Sequence, residues 1–168
     1  MSFTTHGAAG IANPSVLVAT DIWFEFFMNA RGDASRIAEV FDAVEHNGGT
    51  LLCAFSSIQD LYYLLLVSME SSLDASENHG AKEQVAWACV RTLRERATVV
   101  GADLGDVLQA EYLKSLHDDL ADCLLLAAAK RGRADYLFTE RAELHERVPL
   151  LSLGLNEMSL LLGTEEDA

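Results

Sequence analysis

Cysteine is scarce in this chain of 168 residues, which contains only three. Cys53, Cys89 and Cys123 are scattered through apolar stretches and are odd in number. A disulfide framework or a zinc site would need cysteines paired at short, regular spacing, so the pattern argues against both. Isolated buried thiols suit a reducing compartment, and we therefore expect a cytoplasmic protein.

Long apolar runs are also lacking. The longest uninterrupted run, residues 61–67, is far shorter than the roughly 20 residues that a helix needs to cross a bilayer. The N-terminal sequence MSFTTHGAAGIANPS contains neither the basic region nor the apolar run of a secretory signal. We expect no export and no membrane partner.

Basic residues are few, since 12 Lys and Arg stand against 26 Asp and Glu, for a formal net charge of −14. Such a charge opposes binding to phosphate backbones unless basic residues cluster or metal ions intervene. The two partial clusters read as helix-end residues that face water. They are Arg91, Arg94 and Arg96 in one segment, and Lys130, Arg131 and Arg133 in the other. The charge argues against an autonomous nucleic-acid-binding protein.

Several common catalytic signatures are absent too. No GlyXGlyXXGly sequence or phosphate-binding loop occurs. Ser56 and Ser57 lack the GlyXSerXGly elbow of a serine nucleophile, and we expect one of them to cap the helix that follows. His117 stands alone before a helix, which is more typical of a surface or capping residue than of a general base.

A length of 168 residues, half of them hydrophobic, is enough for one compact domain with a core and too little for two ordinary ones. We expect a flexible N-terminus over residues 1–14, a single domain over 15–163 and a flexible tail over 164–168.

Strand-like and helix-like segments alternate along this domain. Short apolar runs predict strands at 16–23, 50–55, 97–102, 134–139 and, more weakly, 149–153. Apolar residues at helical spacing predict helices at 33–46 with Asp33 as N-cap, 58–73, 81–97, 103–116, a long helix after Asp118, and 157–162. The alternation predicts an α/β fold, a three-layer α/β/α sandwich around a mainly parallel sheet of four to five strands.

Sites in such sheets lie at the carboxyl ends of the strands. Here those ends carry Asp21, then Asp60 shortly after the second strand, and Thr139 with Glu140 after the fourth.

Acids also stand at the head of the long helix that follows Asp118. Asp119 and Asp122 are three residues apart and so share one helix face, where like charges repel. Either they use the helix dipole, which favours anions at an N-terminus, or they collect carboxylates for a divalent cation.

Three segments of the chain resemble the PIN domain family of metal-dependent ribonucleases, many of which are toxins of bacterial toxin–antitoxin pairs. The segment VLVATDIW at 16–23 is similar to its first strand, which is usually followed by AspThrAsn, and SSIQDLYYLL at 56–65 is similar to its second acidic helix. The third and most specific match is DDLADCLLLAAAKRGRADYLFTER at 118–141, similar to the AspPheGluAspAla helix and the strand ending in ThrArgAsn.

The resemblance implies an endoribonuclease that cuts single-stranded RNA with Mg²⁺ or Mn²⁺, an antitoxin partner and a homodimer. It implies that Asp21, Asp60, Asp119 and Asp122 act as metal ligands and catalytic residues, and that Thr139 positions the site, with Glu140 and Arg141 beside it. Carboxylates from separate elements are the oxygen ligands that such a cation needs to activate water for attack on a phosphodiester.

Two positions depart from the family pattern. Ala19 stands where the leading Asp is expected, and Asp21 offers a carboxylate two residues later, on the same face if this segment is a strand. Arg141 stands where Asn or Asp is expected, and pairing with Asp21 or Asp122 would replace the metal's charge with a fixed one. Two hypotheses follow: an active nuclease, or a degenerate, non-catalytic PIN-fold protein that serves as a binding or assembly module.

Overall fold

The structure is a computed structural model, and it describes residues 11–70, 79–146, 148 and 150–164. The strands are β1 (Ser15–Val18), β2 (Thr50–Ala54), β3 (Thr98–Val100), β4 (Tyr136–Phe138) and β5 (Leu151–Leu153). The helices are α1 (Thr20–Met28), α2 (Ala34–His46), α3 (Phe55–Glu70), α4 (His79–Arg96), α5 (Leu104–Leu113), α6 (Leu120–Gly132) and α7 (Leu155–Leu162), and a 3₁₀ turn covers Ala142–Leu144.

The five strands form one sheet in the order β3-β2-β1-β4-β5, and every neighbouring pair is parallel. The chain lays down β1, β2 and β3 towards one edge and then returns to place β4 on the other side of β1. A crevice forms beyond the carboxyl ends of the strands at such a reversal, and it is the usual binding place in α/β sheets.

Helices cover both faces of the sheet, because successive side chains of a strand point to opposite sides. Val16 and Val18 of β1 pack into one apolar core, which α1, α2, α3, α4 and α7 complete. Leu17 and Ala19 pack into a second core, which α5 and α6 complete. Both faces of β1 are therefore buried, as in a central parallel strand, and the predicted three-layer α/β/α sandwich is confirmed.

The first strand is shorter than predicted. β1 ends at Val18, and residues 20–23, predicted as strand, form the first turn of α1 instead. The Trp23 amide donates to the Ala19 carbonyl, which starts the helix. Trp23 is fully buried against Phe41, with ring centroids 4.8 Å apart, so burial of the aromatic ring favours the helix. Asp21 consequently lies on α1 and not on a strand face shared with Ala19.

One predicted helix cap is wrong, and a second is confirmed in its position but makes no side-chain capping bond. α3 begins at Phe55 directly after β2, so Ser56 and Ser57 lie inside the helix and neither caps it. Asp33 precedes α2 as predicted, but its side chain makes no capping hydrogen bond and pairs with Arg36 at 3.6 Å.

The outermost segments are only partly described. Residues 1–10 of the expected flexible N-terminus and residues 165–168 of the expected flexible tail lie outside the described residues. The limits of the single domain stay a prediction. Within the described residues, no helix combines the length and apolarity that a membrane crossing requires.

Candidate functional site

A cavity of about 570 Å³ opens beyond the carboxyl ends of β1, β2 and β4, at the reversal of strand order. The structure brings together in it the acids that the sequence singles out, along with both positions that depart from the family pattern. Its lining includes Ala19, Asp21, Ser57, Asp60, Asp119, Asp122 and Arg141, with an apolar wall of Tyr63, Leu64 and Val67.

Asp21 is held by the segment that follows β4. Its Oδ1 accepts a hydrogen bond from Thr139 Oγ1 at 2.9 Å, and its Oδ2 accepts one from the Glu140 amide at 2.8 Å. Thr139 is fully buried, and its Oγ1 also accepts from the Arg141 amide at 3.1 Å. Both carboxylate oxygens of Asp21 are therefore engaged in joining α1 to the end of β4.

Arg141 forms a bidentate ion pair with Asp122. Arg141 Nη1 lies 2.5 Å from Asp122 Oδ1, and Nη2 lies 2.9 Å from Oδ2. The guanidinium also donates to Glu143 Oε1, from Nη2 at 2.7 Å and from Nε at 2.9 Å. Burial alone lowers the pKa of Arg141, but the hydrogen bonds to Asp122 and Glu143 outweigh burial and hold that pKa above its usual value.

Glu143 is the residue of this site that the sequence did not reveal. The backbone amide and then the Arg141 guanidinium hold the pKa of Glu143 below its usual value. Its spacing of two residues from Arg141 was the available signal, but short spacing outside a regular helix or strand does not show which side chains meet.

Asp119 caps α6. Its Oδ1 accepts a hydrogen bond from the Asp122 amide at 3.0 Å, as an N-cap residue does. The helix-terminus explanation of the acidic helix head therefore accounts for Asp119, and Asp122 is explained by its ion pair with Arg141.

Asp60 differs from the other three acids. It lies on α3, and none of the described residues gives its carboxylate a hydrogen bond or an ion pair. Partial burial raises the pKa of Asp60, and the negative charge of Asp119 raises it further. The site thus retains negative charge on its α3 side, whereas Arg141 neutralises its β4 side.

The arrangement does not fit a divalent cation. Mg²⁺ takes near-octahedral oxygen ligands, usually including one or two carboxylates. The oxygens of Asp21 and Asp122 already accept hydrogen bonds from Thr139, Glu140 and Arg141. Among the residues that the structure describes, no three His, Cys, Asp or Glu side chains are grouped so that they could hold a metal ion. The predicted metal role of the four acids stays a prediction.

No family model matches the chain, and no curated protein matches it. The chain does match solved structures. VapBC2 from Rickettsia felis, bound to a DNA fragment from its promoter, aligns at 13% identity over 83% of this chain and 98% of that chain, with a TM-score of 0.62. VapBC-1 from nontypeable Haemophilus influenzae aligns at 15% identity over 84% and 98%, with a TM-score of 0.56. PAE2754 from Pyrobaculum aerophilum aligns at 10% identity over 98% and 99%, with a TM-score of 0.61. The likeness shows the fold, which is that of a PIN domain, as predicted.

Proposed function

We propose that this chain is a PIN-fold subunit of the toxin–antitoxin kind that binds a protein partner of antitoxin type, and that its acidic cavity no longer serves metal-dependent cleavage. The observation that carries the proposal is the bidentate pair between Arg141 and Asp122. The VapBC structures with the same fold support the class of partner. A homodimer in the cytoplasm belongs to the same proposal.

The ion pair opposes metal binding because the guanidinium is a permanent cation. Asp122 is 3% exposed, so moving Arg141 away would leave a buried carboxylate without a partner. Breaking a fully buried pair in this way costs about 3–5 kcal/mol, and the cost here is lower because the Arg141 side chain is 39% exposed. An incoming cation has to offset that cost before it gains any net affinity.

Ala19 removes a second requirement of the nuclease. It is 2% exposed and its methyl group belongs to the core under α6, although it also lines the cavity. The position that should contribute the leading carboxylate therefore contributes none. Asp21 does not replace it from the same direction, because it lies on α1 with both oxygens engaged.

A second candidate function is the Mg²⁺- or Mn²⁺-dependent endoribonuclease acting on single-stranded RNA. The observation in its favour is that Asp21, Asp60, Asp119 and Asp122 line one cavity. The Arg141 side chain is 39% exposed, so it has room to turn towards solvent. In this candidate the four acids hold the cation, and Thr139, Glu140 and Arg141 position the site.

An RNA cleavage assay separates the two candidates. We expect wild-type protein with Mn²⁺ to leave a labelled single-stranded RNA intact, and the double variant Ala19→Asp/Arg141→Asn to cut it in an EDTA-sensitive reaction. Arg94→Asn, which removes an exposed arginine elsewhere, is the matched control and should stay inactive. EDTA-sensitive cleavage by the wild type that disappears in Asp122→Asn would instead establish the nuclease.

A further inference from the structure

A second cavity lies between α5 and α6, and none of the described residues lines both it and the acidic cavity. Its volume is about 590 Å³, which is within the roughly 300–1,000 Å³ typical of small-molecule sites. Buried side chains of both helices, among them Leu113, Leu126 and Ala129, form its floor. Ala134 and Leu150 also line it, and they stand shortly before β4 and β5. The second cavity therefore extends towards the amino ends of these strands, whereas the acidic cavity lies at the carboxyl ends.

Two cations line this cavity without an acidic partner. Lys130 lies in the last turn of α6, Arg133 is the residue that ends the helix, and both are exposed. Neither forms an ion pair with any described residue, and the Lys130 ammonium donates to the neutral Gln109 Oε1 at 2.7 Å. The described lining contains no Asp or Glu. The positive charge at this cavity is therefore left uncompensated by the residues around it.

The structure divides the basic cluster at the end of α6 into two parts. Arg131 pairs with Asp103 at 2.6 Å and with Asp106 at 2.9 Å, so its charge is compensated within the fold. Lys130 and Arg133 line the cavity instead. The dipole of α6 favours positive charge at this end of the helix, but it does not account for the apolar cavity beside the two cations.

Arg133 also adopts a backbone conformation that arginine rarely takes. Its φ of 52° and ψ of 46° place it in the left-handed region, where glycine or asparagine usually ends a helix. The chain therefore positions a cation at the cavity where glycine would fit the backbone with less strain. A functional reason for the arginine agrees with this placement.

Charge and shape together select the kind of ligand that fits. An apolar body gains by leaving water for the floor between α5 and α6, and an anionic head group forms charge-assisted hydrogen bonds with Lys130 and Arg133. A cationic ligand would be repelled there, and a neutral one would leave both cations unpaired. A nucleic acid would need more than two cations to hold its phosphates against a chain of net charge −14.

We propose that this cavity binds a small amphiphilic carboxylate. Its aliphatic body lies on the floor formed by Leu113 and Leu126, and its carboxylate accepts hydrogen bonds from Lys130 and Arg133. The inference does not rest on the proposed function, because the acidic cavity and its acids take no part in this second site. Loss of one site therefore leaves the other measurable.

Isothermal titration of the full chain with decanoate, kept below the concentration at which decanoate forms micelles, tests the proposal. We expect one saturable site for decanoate. Acetate carries the same head group without the aliphatic body, and decyltrimethylammonium carries the same body with a cationic head group. Neither of these two probes should show saturable binding, because each lacks one half of the complementarity.

Variants of the full chain locate the site. Arg133→Asn and Lys130→Gln each remove one cation, and each should weaken decanoate binding about 10-fold. Ala134→Leu places a larger side chain in the cavity and should weaken binding to a similar extent. Arg94→Asn removes an arginine that is 68% exposed on α4, and as the matched control it should alter the affinity less than about 2-fold.

Thermal unfolding of each variant separates loss of binding from loss of folding. Arg133→Asn should melt no lower than the wild type, because asparagine tolerates the left-handed conformation. Four results would overturn the inference: no saturable binding of decanoate, equal binding of decyltrimethylammonium, wild-type affinity in Arg133→Asn and Lys130→Gln, or wild-type affinity in Ala134→Leu. A change of oligomeric state in Arg133→Asn, measured by sedimentation, would also overturn it by showing that a second copy of the chain covers the cavity.

Discussion

At the scale of single residues, Arg141 is held by two carboxylates that differ in exposure. The Asp122 side chain is 4% exposed and the Glu143 side chain is 58% exposed. An exposed ion pair contributes about 0–1 kcal/mol, whereas a buried carboxylate that loses its partner costs several times more. The Asp122 contact therefore fixes the guanidinium in the cavity, and Glu143 adds little to the free energy of unfolding.

Freeing Asp122 from its ion pair with Arg141 gives a prediction about metal binding. It can be measured without an assay of catalytic activity. We expect isothermal titration of wild-type protein with Mn²⁺ to show no saturable site, and Arg141→Asn to gain one, because the variant frees both Asp122 oxygens beside Asp60 and Asp119. Arg141→Lys keeps a cation in the cavity and should show no saturable Mn²⁺ binding. Arg94→Asn should show none either. Equal binding by wild type and Arg141→Asn would show that the guanidinium does not block the cation.

The sequence predicted the conflict at Arg141 but not its outcome. It left open whether the guanidinium pairs with Asp21 or with Asp122, since neither spacing is local. Asp21 is unavailable because Thr139 and Glu140 already donate to it, and that arrangement depends on Asp21 lying on α1. The identity of the element decided the pairing, and one residue's chemistry could not supply it.

At the scale of elements, the connection between α1 and α2 depends on a buried carboxylate. Glu25 is 2% exposed, and its oxygens accept hydrogen bonds from the backbone amides of Arg31 and Asp33 at 2.9 to 3.1 Å. The Arg31 guanidinium lies 3.5 Å away. This single side chain therefore satisfies the amides of a turn that has no strand or helix of its own.

Replacing that carboxylate should weaken the fold measurably. We expect Glu25→Gln to lower the free energy of unfolding by about 1–3 kcal/mol, because a neutral amide loses the charge that strengthens these hydrogen bonds and the ion pair with Arg31. Urea denaturation at pH 7 gives the value. Glu39→Gln, an exposed substitution on α2, should change it by less than about 0.5 kcal/mol. Similar losses in both variants would mean that the turn does not depend on Glu25.

The contact between α5 and α6 predicts that the free energy of unfolding depends on pH. Arg131 Nε donates to Asp106 Oδ1 at 2.9 Å, and the Asp103 amide donates to Oδ2 at 2.8 Å. The hydrogen bond from Arg131 is the main reason that the pKa of Asp106 lies below its usual value, despite burial. A lowered pKa in the folded state stabilises the protein above the unfolded-state pKa, about 3.9, and the gain is lost as the pH falls through the folded-state pKa.

We therefore expect Asp106→Asn to be less stable than the wild type at pH 7, by about 1–3 kcal/mol. The difference should narrow as the pH falls below about 4, where the wild-type carboxylate also becomes protonated. Thermal unfolding from pH 7 to pH 2.5 follows both proteins, with Glu111→Gln on the exposed side of α5 as control. A gap that stays constant over this range would show that Asp106 acts through packing and not through its charge.

Element types were predictable wherever one period dominated. Apolar spacing located α2, and short apolar runs located β2 and β4, to within about three residues. The run at 16–23 was predicted wrongly in part because a short apolar run fits a strand or a helix turn equally well. The helix is favoured because Trp23 packs against Phe41. Phe41 lies in a different segment of the chain, so the local sequence does not reveal this contact.

At the scale of the whole molecule, the alternation of elements was enough to predict the parallel sheet, because helix crossovers permit little else. The cavity was harder to predict from the sequence. Asp60 on α3 and Asp119 at the start of α6 meet only because β4 returns beside β1. The sequence resemblance supplied that convergence, and the structure adds the guanidinium of Arg141 within it.

The net charge of −14 should make the fold more stable in salt. Excess negative charge repels itself in the compact state, and the Debye length falls from about 30 Å at 0.01 M to about 8 Å at 0.15 M ionic strength. We expect the melting temperature at pH 7 to rise by about 2–4 °C between 10 and 150 mM NaCl, taking the relief of repulsion as roughly 1 kcal/mol. KCl at equal ionic strength should give the same rise, because screening does not distinguish the two cations. A fall in melting temperature would mean that ion pairs such as Arg141 with Asp122 outweigh the general repulsion. A rise in melting temperature with only one of the two salts would point to a specific cation site.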